Sequence, residues 1–332
     1  MKVVAYFQLN EVRWAIPESE LADLRNQFPA MRLVSLEDDA RLADELVDAD
    51  AFAGWHFPPQ HFGAVKRLRW IHSASAGIEA NLFPELIRSD VVLTNSAGLH
   101  VVSIPEHVLA TMLVLARNFP IAFRMQQEKR WERFEIIAGN GGIRELAGSK
   151  LAILGVGAIG RSLTNKATAL GMHVRVLRRN PDRGVPGAEQ VVGHEQLHEL
   201  LRWADFVVLA VPLTSETRHL IGTAELQAMR SDAFLINIAR GEVVDEAALI
   251  ASLRAGAIAG AGLDVFATEP LPPESSLWDL PNVVLTPHVS GYTPDYFGKM
   301  LAIFRDNLCR FIAGERMRNV VDKRLGYVAD SE

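Results

Sequence analysis

The stretch LAILGVGAIGR, residues 151–161, constrains this chain more than any other. An apolar run ends in Gly155, Gly157 and Gly160, spaced G-x-G-x-x-G, and a helix-like segment follows. Strand, tight turn and helix in that order open a dinucleotide-binding βαβ unit. The first glycine permits the turn, the second lets a pyrophosphate approach the backbone, and the third allows close helix–strand packing. The first N–H groups of the helix and its positive dipole end then face the phosphates. Gly155, Gly157, Ala158, Ile159 and Gly160 are the predicted cradle.

The remaining pattern extends that unit in both directions. Short apolar, β-branched runs occur at 3–7, 32–36, 50–55, 69–75 and 91–95. A second series begins at 151–157 and continues at 173–177, 206–212, 234–239, 259–266 and 282–288. Helix-like segments separate most of them. Such alternation predicts α/β domains with doubly wound parallel sheets, Rossmann-like or flavodoxin-like. With 332 residues there is room for two. A helix is predicted over 103–119, with Ser103 as N-cap and Glu106 completing a capping box. Glu106 and His107 read as capping and helix-terminal packing rather than chemistry. Another helix is predicted from Pro294 to Gly314, returning the chain to the first domain. The predicted first domain is 1–98 plus 291–332, and the dinucleotide domain is 99–290, with a cleft between them.

Composition excludes several classes. A net charge of −6 gives no reason to expect nucleic acid or an anionic membrane as partner. No apolar stretch reaches the roughly 18–20 residues of a membrane span, and the N-terminus lacks the apolar core and cleavage site of a signal peptide. A cytoplasmic location is the expectation. The one cysteine, Cys309, excludes an intramolecular disulfide and reads as a small core residue. No metal site is expected.

Four further patches carry chemistry. After the run 173–177, where an NAD-specific domain places an acidic residue, stand Arg178 and Arg179. Two guanidiniums suit a 2′-phosphate, so NADP(H) is favoured and NAD(H) remains open. Arg240 follows a strand almost devoid of charge. A forked, permanent cation there suits a carboxylate, and a surface salt bridge is the alternative. Asp264 and Glu269 follow the next run, and His288 the last. A carboxylate beside a histidine favours its protonated form, which makes a proton donor near neutral pH.

The combined order is G-x-G-x-x-G, V-P-L-T (211–214), N-I-A-R-G (237–241), D-V-F-x-x-E-P (264–270) and T-P-H-x-S (286–290). It resembles the D-isomer-specific 2-hydroxyacid dehydrogenase family over nearly the whole chain. SAGIEANLFPEL (75–86) is similar to the family's substrate-domain loop, and NVVDKRLGY (319–327) to its closing segment. Formate dehydrogenases of the family carry Gln where Glu269 stands. The stretch GWHFPP, with Trp55, resembles glyoxylate/hydroxypyruvate reductase members.

The resemblance implies roles. Arg240 would hold the substrate's carboxylate and carbonyl. His288 would exchange a proton with the C2 oxygen, and Glu269 would hydrogen-bond that histidine and raise its pKa. Asp264 would contact the nicotinamide carboxamide, with Val211, Pro212 and Ala239 also at the cofactor. Ala76 and Gly77 would present backbone N–H groups to the carboxylate. Trp55 is either a wall of the substrate pocket or a packing residue. The implied activity is NAD(P)-dependent interconversion of a small 2-oxo acid and its D-2-hydroxy acid, of the glyoxylate/hydroxypyruvate type, in a homodimer. A larger 2-hydroxy acid, or a nucleotide-sensing protein like the family's corepressors, is the alternative.

Overall fold

The computed structural model describes residues 1–9 and 12–328. The predicted first domain also takes in 10–11 and 329–332, which lie outside the described residues. The chain divides into two compact units, Met1–Leu99 with Pro294–Glu332, and His100–Thr293.

The first unit is built on β1 (Lys2–Leu9), β2 (Val12–Trp14), β3 (Arg32–Leu36), β4 (Ala51–Gly54), β5 (Trp70–Ser73) and β6 (Val92–Thr94). Five strands form a parallel sheet in the order β3-β1-β4-β5-β6. β2 folds back antiparallel on the end of β1, Phe7 opposite Trp14. Successive side chains leave a strand on opposite faces. Thus Val3, Ala5, Phe7 and Trp70 enter one core, and Val4, Phe52, Ile71 and Leu93 the other. The helix Tyr296–Ala313 supplies Met300, Phe304 and Leu308 to the first of these. Phe304 stacks on Trp70 with centroids 5.6 Å apart. Gly314, at φ +70°, ends the helix in the left-handed conformation that glycine adopts at no steric cost. Cys309 lies on this helix, half-buried rather than in the core, because its face looks toward Gln27 at the rim.

His72 on β5 is fully buried beside Phe304, with Nδ1 2.9 Å from the Thr94 hydroxyl. Burial lowers its pKa to about 3, so the ring is neutral.

The second unit holds β7 (Lys150–Leu154), β8 (His173–Leu177), β9 (Gln190–Val192), β10 (Phe206–Leu209), β11 (Phe234–Asn237), β12 (Gly260–Leu263) and β13 (Val283–Leu285). All seven are parallel, in the order β13-β12-β11-β10-β7-β8-β9. The strand order reverses between β7 and β10, the switch point where doubly wound sheets bind ligands. Helices cover both faces, so the central strands are apolar without interruption, as in FVVL of β10. Both units are α/β with parallel sheets, as the alternation predicts.

The helix predicted over 103–119 is shorter. It spans Ser103–Ala116, and a second helix, Phe119–Glu128, follows at 65°. Asn118 between them is left-handed at φ +54°. Pro120 has no N–H to carry the first helix's hydrogen-bond ladder onward, and it sits in the first turn of the second helix, where the missing donor is tolerated. The predicted capping box is also absent. The Ser103 hydroxyl donates to the Gly291 carbonyl at 3.3 Å, and Glu106 pairs with Lys166 at 3.2 Å. The helix packs on β11, β12 and the helix Ala158–Ala169. No single described helix is long and apolar enough to cross a membrane.

Candidate active site

At the end of β7 the backbone turns at Gly155, φ +100°. A Cβ there would lie 2.6 Å from the Ala210 carbonyl oxygen, at the end of the neighbouring β10. A Cβ on Gly160 would strike the Gly155 carbonyl. A Cβ on Gly157 would meet open space. The outer glycines are therefore demanded by the protein's own packing. The middle one leaves room above the turn, which fits the close approach of a pyrophosphate. Ala158, Ile159 and Gly160 open the helix, and their N–H groups have no acceptor within it. Val211 and Pro212 follow β10, and Ala239 follows β11.

Arg178 and Arg179 leave β8 on the same edge of the sheet. The Arg178 guanidinium donates to the Arg183 carbonyl at 3.4 Å, and Arg179 pairs with Glu216. Arg179 is exposed and Arg178 half-buried.

The other patches lie at the C-terminal ends of β11, β12 and β13, three neighbours in the sheet. Past β11, Asn237 fixes the turn. Its side-chain oxygen accepts the Ala239 N–H at 3.0 Å, and its Nδ2 donates to the Arg240 carbonyl at 2.9 Å. Arg240 Nη1 donates to the Ala239 carbonyl at 2.7 Å. Gly241 backs directly onto the Phe266–Ala267 peptide, where a Cβ would collide. This close approach explains the glycine and ties the Arg240 turn to the loop that carries Glu269.

Glu269 Oε1 accepts the Phe266 N–H at 3.0 Å, and Oε2 accepts His288 Nδ1–H at 2.8 Å. Burial works to raise the Glu269 carboxyl. The hydrogen bonds from His288 and Phe266, with the charges of His288 and Arg240, outweigh it and hold the group below its ordinary 4.5. The histidine side chain is 48% exposed, so its other nitrogen, Nε2, is open to a ligand.

His288 adopts φ +53°, a conformation costing a non-glycine residue about 1–3 kcal/mol. The surroundings hold it there. Asp264, 2% exposed, accepts the Thr286 hydroxyl at 2.6 Å and the Val289 N–H at 3.0 Å on Oδ1, and the Ser290 N–H at 3.0 Å on Oδ2. His107 Nε2 lies 3.2 Å from the Thr286 hydroxyl oxygen. The Gly291 carbonyl is held by His100 Nδ1 at 3.1 Å as well as by Ser103. Arg240, Glu269 and His288 thus stand on three adjacent strand ends, with a charge-supported pair between the last two.

In the first unit, Ala76 and Gly77 follow β5. Their carbonyls are taken by Asn95 Nδ2 at 2.6 Å and the Ser75 hydroxyl at 2.5 Å. Trp55 is half-buried after β4. Its indole N–H donates to the Phe7 carbonyl at 3.0 Å, and its ring lies against Tyr296 and Phe297.

Residues 109–290 match the family model described as D-isomer specific 2-hydroxyacid dehydrogenase, NAD binding domain. The chain belongs to this family. It is similar to the glyoxylate reductase of Korarchaeum cryptofilum, 32% identical over 93% of this chain and 94% of that one. The glyoxylate reductase of Thermococcus gammatolerans is 34% identical over 94% and 95%. A solved structure of NADPH-dependent glyoxylate/hydroxypyruvate reductase from Sinorhizobium meliloti, in complex with NADP and sulfate, superposes with a TM-score of 0.83. It is 28% identical and covers 98% of this chain and 99% of its own. The protein is therefore a 2-hydroxyacid dehydrogenase, an oxidoreductase that works with a nicotinamide cofactor.

The motif residues of this dehydrogenase come together in the second unit in the order the sequence suggests. Asp264 has a use that the motif alone does not reveal, since its carboxylate carries the loop of His288. Asn237, Thr286 and His100 escaped the sequence reading. Asn237 and Thr286 lie inside N-I-A-R-G and T-P-H-x-S, so the signal was present, attached to their neighbours. Nothing in the sequence marks His100.

Proposed function

We propose that this dehydrogenase reduces a small 2-oxo acid, with glyoxylate and hydroxypyruvate as first candidates, to the D-2-hydroxy acid, and that it prefers NADPH to NADH. The observation that carries the reading is the His288–Glu269 pair at 2.8 Å, one strand end removed from Arg240. The relatives' names narrow the acid, and Arg178 with Arg179 narrows the cofactor.

Gly155, Gly157, Ala158, Ile159 and Gly160 would hold the pyrophosphate, Arg178 and Arg179 the 2′-phosphate, and Val211, Pro212, Ala239 and Asp264 the nicotinamide end. When bound, the reduced nicotinamide supplies the hydride that C2 of the acid accepts. Arg240 binds the carboxylate and polarises the carbonyl with a permanent, forked charge. His288 Nε2 gives its proton to the C2 oxygen as negative charge grows there. Glu269 fixes the ring through Nδ1 and offsets its positive charge before the transfer. In the first unit, the N–H groups of Ala76 and Gly77 are proposed donors to the carboxylate, and Trp55 a wall of the substrate site. A second copy of the chain is the proposed partner, and the exposed, paired rings of Phe119 and Phe123 are apolar surface it would cover.

Initial rates of NADPH and NADH oxidation at 340 nm across glyoxylate, hydroxypyruvate, pyruvate, phenylpyruvate and branched 2-oxo acids test the reading. Fast NADPH-dependent turnover of a small acid is expected. Turnover confined to a bulky acid, or to NADH, would overturn it.

A further inference from the structure

The loop that bears His288 is gripped by a residue that the reaction itself does not use. His107 lies near the start of the helix Ser103–Ala116, with Nε2 3.2 Å from Thr286 Oγ1. A hydroxyl has one proton to give. The Thr286 proton is directed to Asp264 Oδ1 at 2.6 Å. Nε2 of His107 must therefore be the donor in its contact with Thr286. A directed chain results, from His107 Nε2–H to Thr286 O–H to the Asp264 carboxylate. That carboxylate in turn accepts the N–H groups of Val289 and Ser290, the two residues that follow His288.

Each link strengthens the next, because a donated hydrogen bond polarises the hydroxyl that passes it on. The far end of the loop is tied to the same stretch of chain, through the Gly291 carbonyl and the His100 and Ser103 side chains. His288 sits between these anchors in its left-handed conformation, with its ring aimed at Glu269.

We propose that His107 is a positioning residue for His288. Through Thr286 it fixes Asp264, and through Asp264 it fixes the backbone that presents the acid–base ring. The proposal rests on the reading of His288 as proton donor. A misplaced donor slows the proton transfer, while the glycine turn, Arg178, Arg179 and Arg240, which carry most of the proposed binding of cofactor and acid, lie outside this chain of hydrogen bonds, so the effect belongs in kcat rather than KM.

The experiment compares His107→Phe, which fills the space without a donor, with His107→Gln, whose side-chain amide can donate to Thr286. Both are assayed with NADPH and the fastest acid of the panel, alongside His288→Ala. H107F is expected to lose roughly ten- to a hundredfold in kcat. KM and the NADPH Kd should stay within about twofold of wild type, and H107Q should recover most of the loss. Wild-type kcat in H107F overturns the proposal, as does a loss that H107Q shares in full. If H107F does not fold, Thr286→Val removes the relay hydroxyl at constant shape, and undiminished kcat there is equally fatal. Full kcat in H288A would topple the proton-donor reading itself and this proposal with it. Loss in H288A with none in H107F would remove only the role of His107.

Discussion

Between Gly155 and Gly160 the backbone reaches its place because side chains are missing; between Thr286 and Gly291 it does so because side chains are present. The first turn has no room for a Cβ at its ends, against Ala210 and against its own Gly155 carbonyl. The second is suspended from Asp264, His107, His100 and Ser103 by hydrogen bonds. Both follow strands of one parallel sheet, yet they fail in different ways. On the proposed function, added atoms at the glycine turn should impair packing and phosphate binding, and lost donors and acceptors at the histidine loop should impair turnover. Cofactor binding and chemistry should then be separable by mutation within one unit.

The sharpest attempt to break this separation is His288→Ala. It should cost about 10²–10⁴-fold in kcat and leave the NADPH Kd, read by fluorescence titration, unchanged. A parallel loss of cofactor binding would show that the two regions are not independent. On the cofactor side, Arg178→Asp with Arg179→Ala should shift the NADPH/NADH ratio of kcat/KM toward NADH by about ten- to a hundredfold, the worth of charged hydrogen bonds to a phosphate. An unmoved ratio would reduce Arg179 to its pairing with Glu216.

Two smaller effects refine the contrast. Gly160→Ala should destabilise the cofactor-free protein by about 1–3 kcal/mol through overpacking, whereas Gly157→Ala should leave the cofactor-free Tm alone and weaken NADPH binding. Equal Tm losses would contradict the open space above Gly157. The last test uses acid. Glu269 has its pKa lowered in the folded protein, so the stability it contributes is complete above about 4.5 and is lost as pH falls through the lower folded value. The Tm gap between wild type and Glu269→Gln should therefore narrow on acidification. A gap that is constant with pH would mean that the carboxylate is not held by its charge.

The fold was legible where pattern is local. Runs of Val, Ile and Leu bounded by glycine and helix signals marked eleven of the strands, and motif order marked the family. The three-residue strands β2 and β9 were not marked, because pairing with β1 and β8 makes them and their own residues do not. The same reason explains the errors around residue 103. Ser103 and Glu106 spell a capping box, but Gly291 and Lys166, distant in sequence, take their side chains. Asn118 shows it again. Its Nδ2 donates to the carbonyls of Ile136 and Gly139, and those bonds fix the break between two helices. At the site, Arg240, Glu269 and His288 were legible as motif residues. The work of Asp264, Thr286 and His107 was not, since hydrogen bonds across the loop leave no periodic trace.

The helix Tyr296–Ala313 adds a matter of timing. It completes the first core with Met300, Phe304 and Leu308, yet it leaves the ribosome after the whole of His100–Thr293. At typical synthesis rates that interval is on the order of ten to forty seconds. Throughout it, the sheet face bearing Val3, Phe7 and Trp70 has Leu21 and Leu24 of the helix Glu18–Gln27 beside it but lacks Met300, Phe304 and Leu308, while the later-made unit has every strand it needs. The nascent chain can therefore finish its second unit first, and the part-covered face of the first is where a chaperone would act.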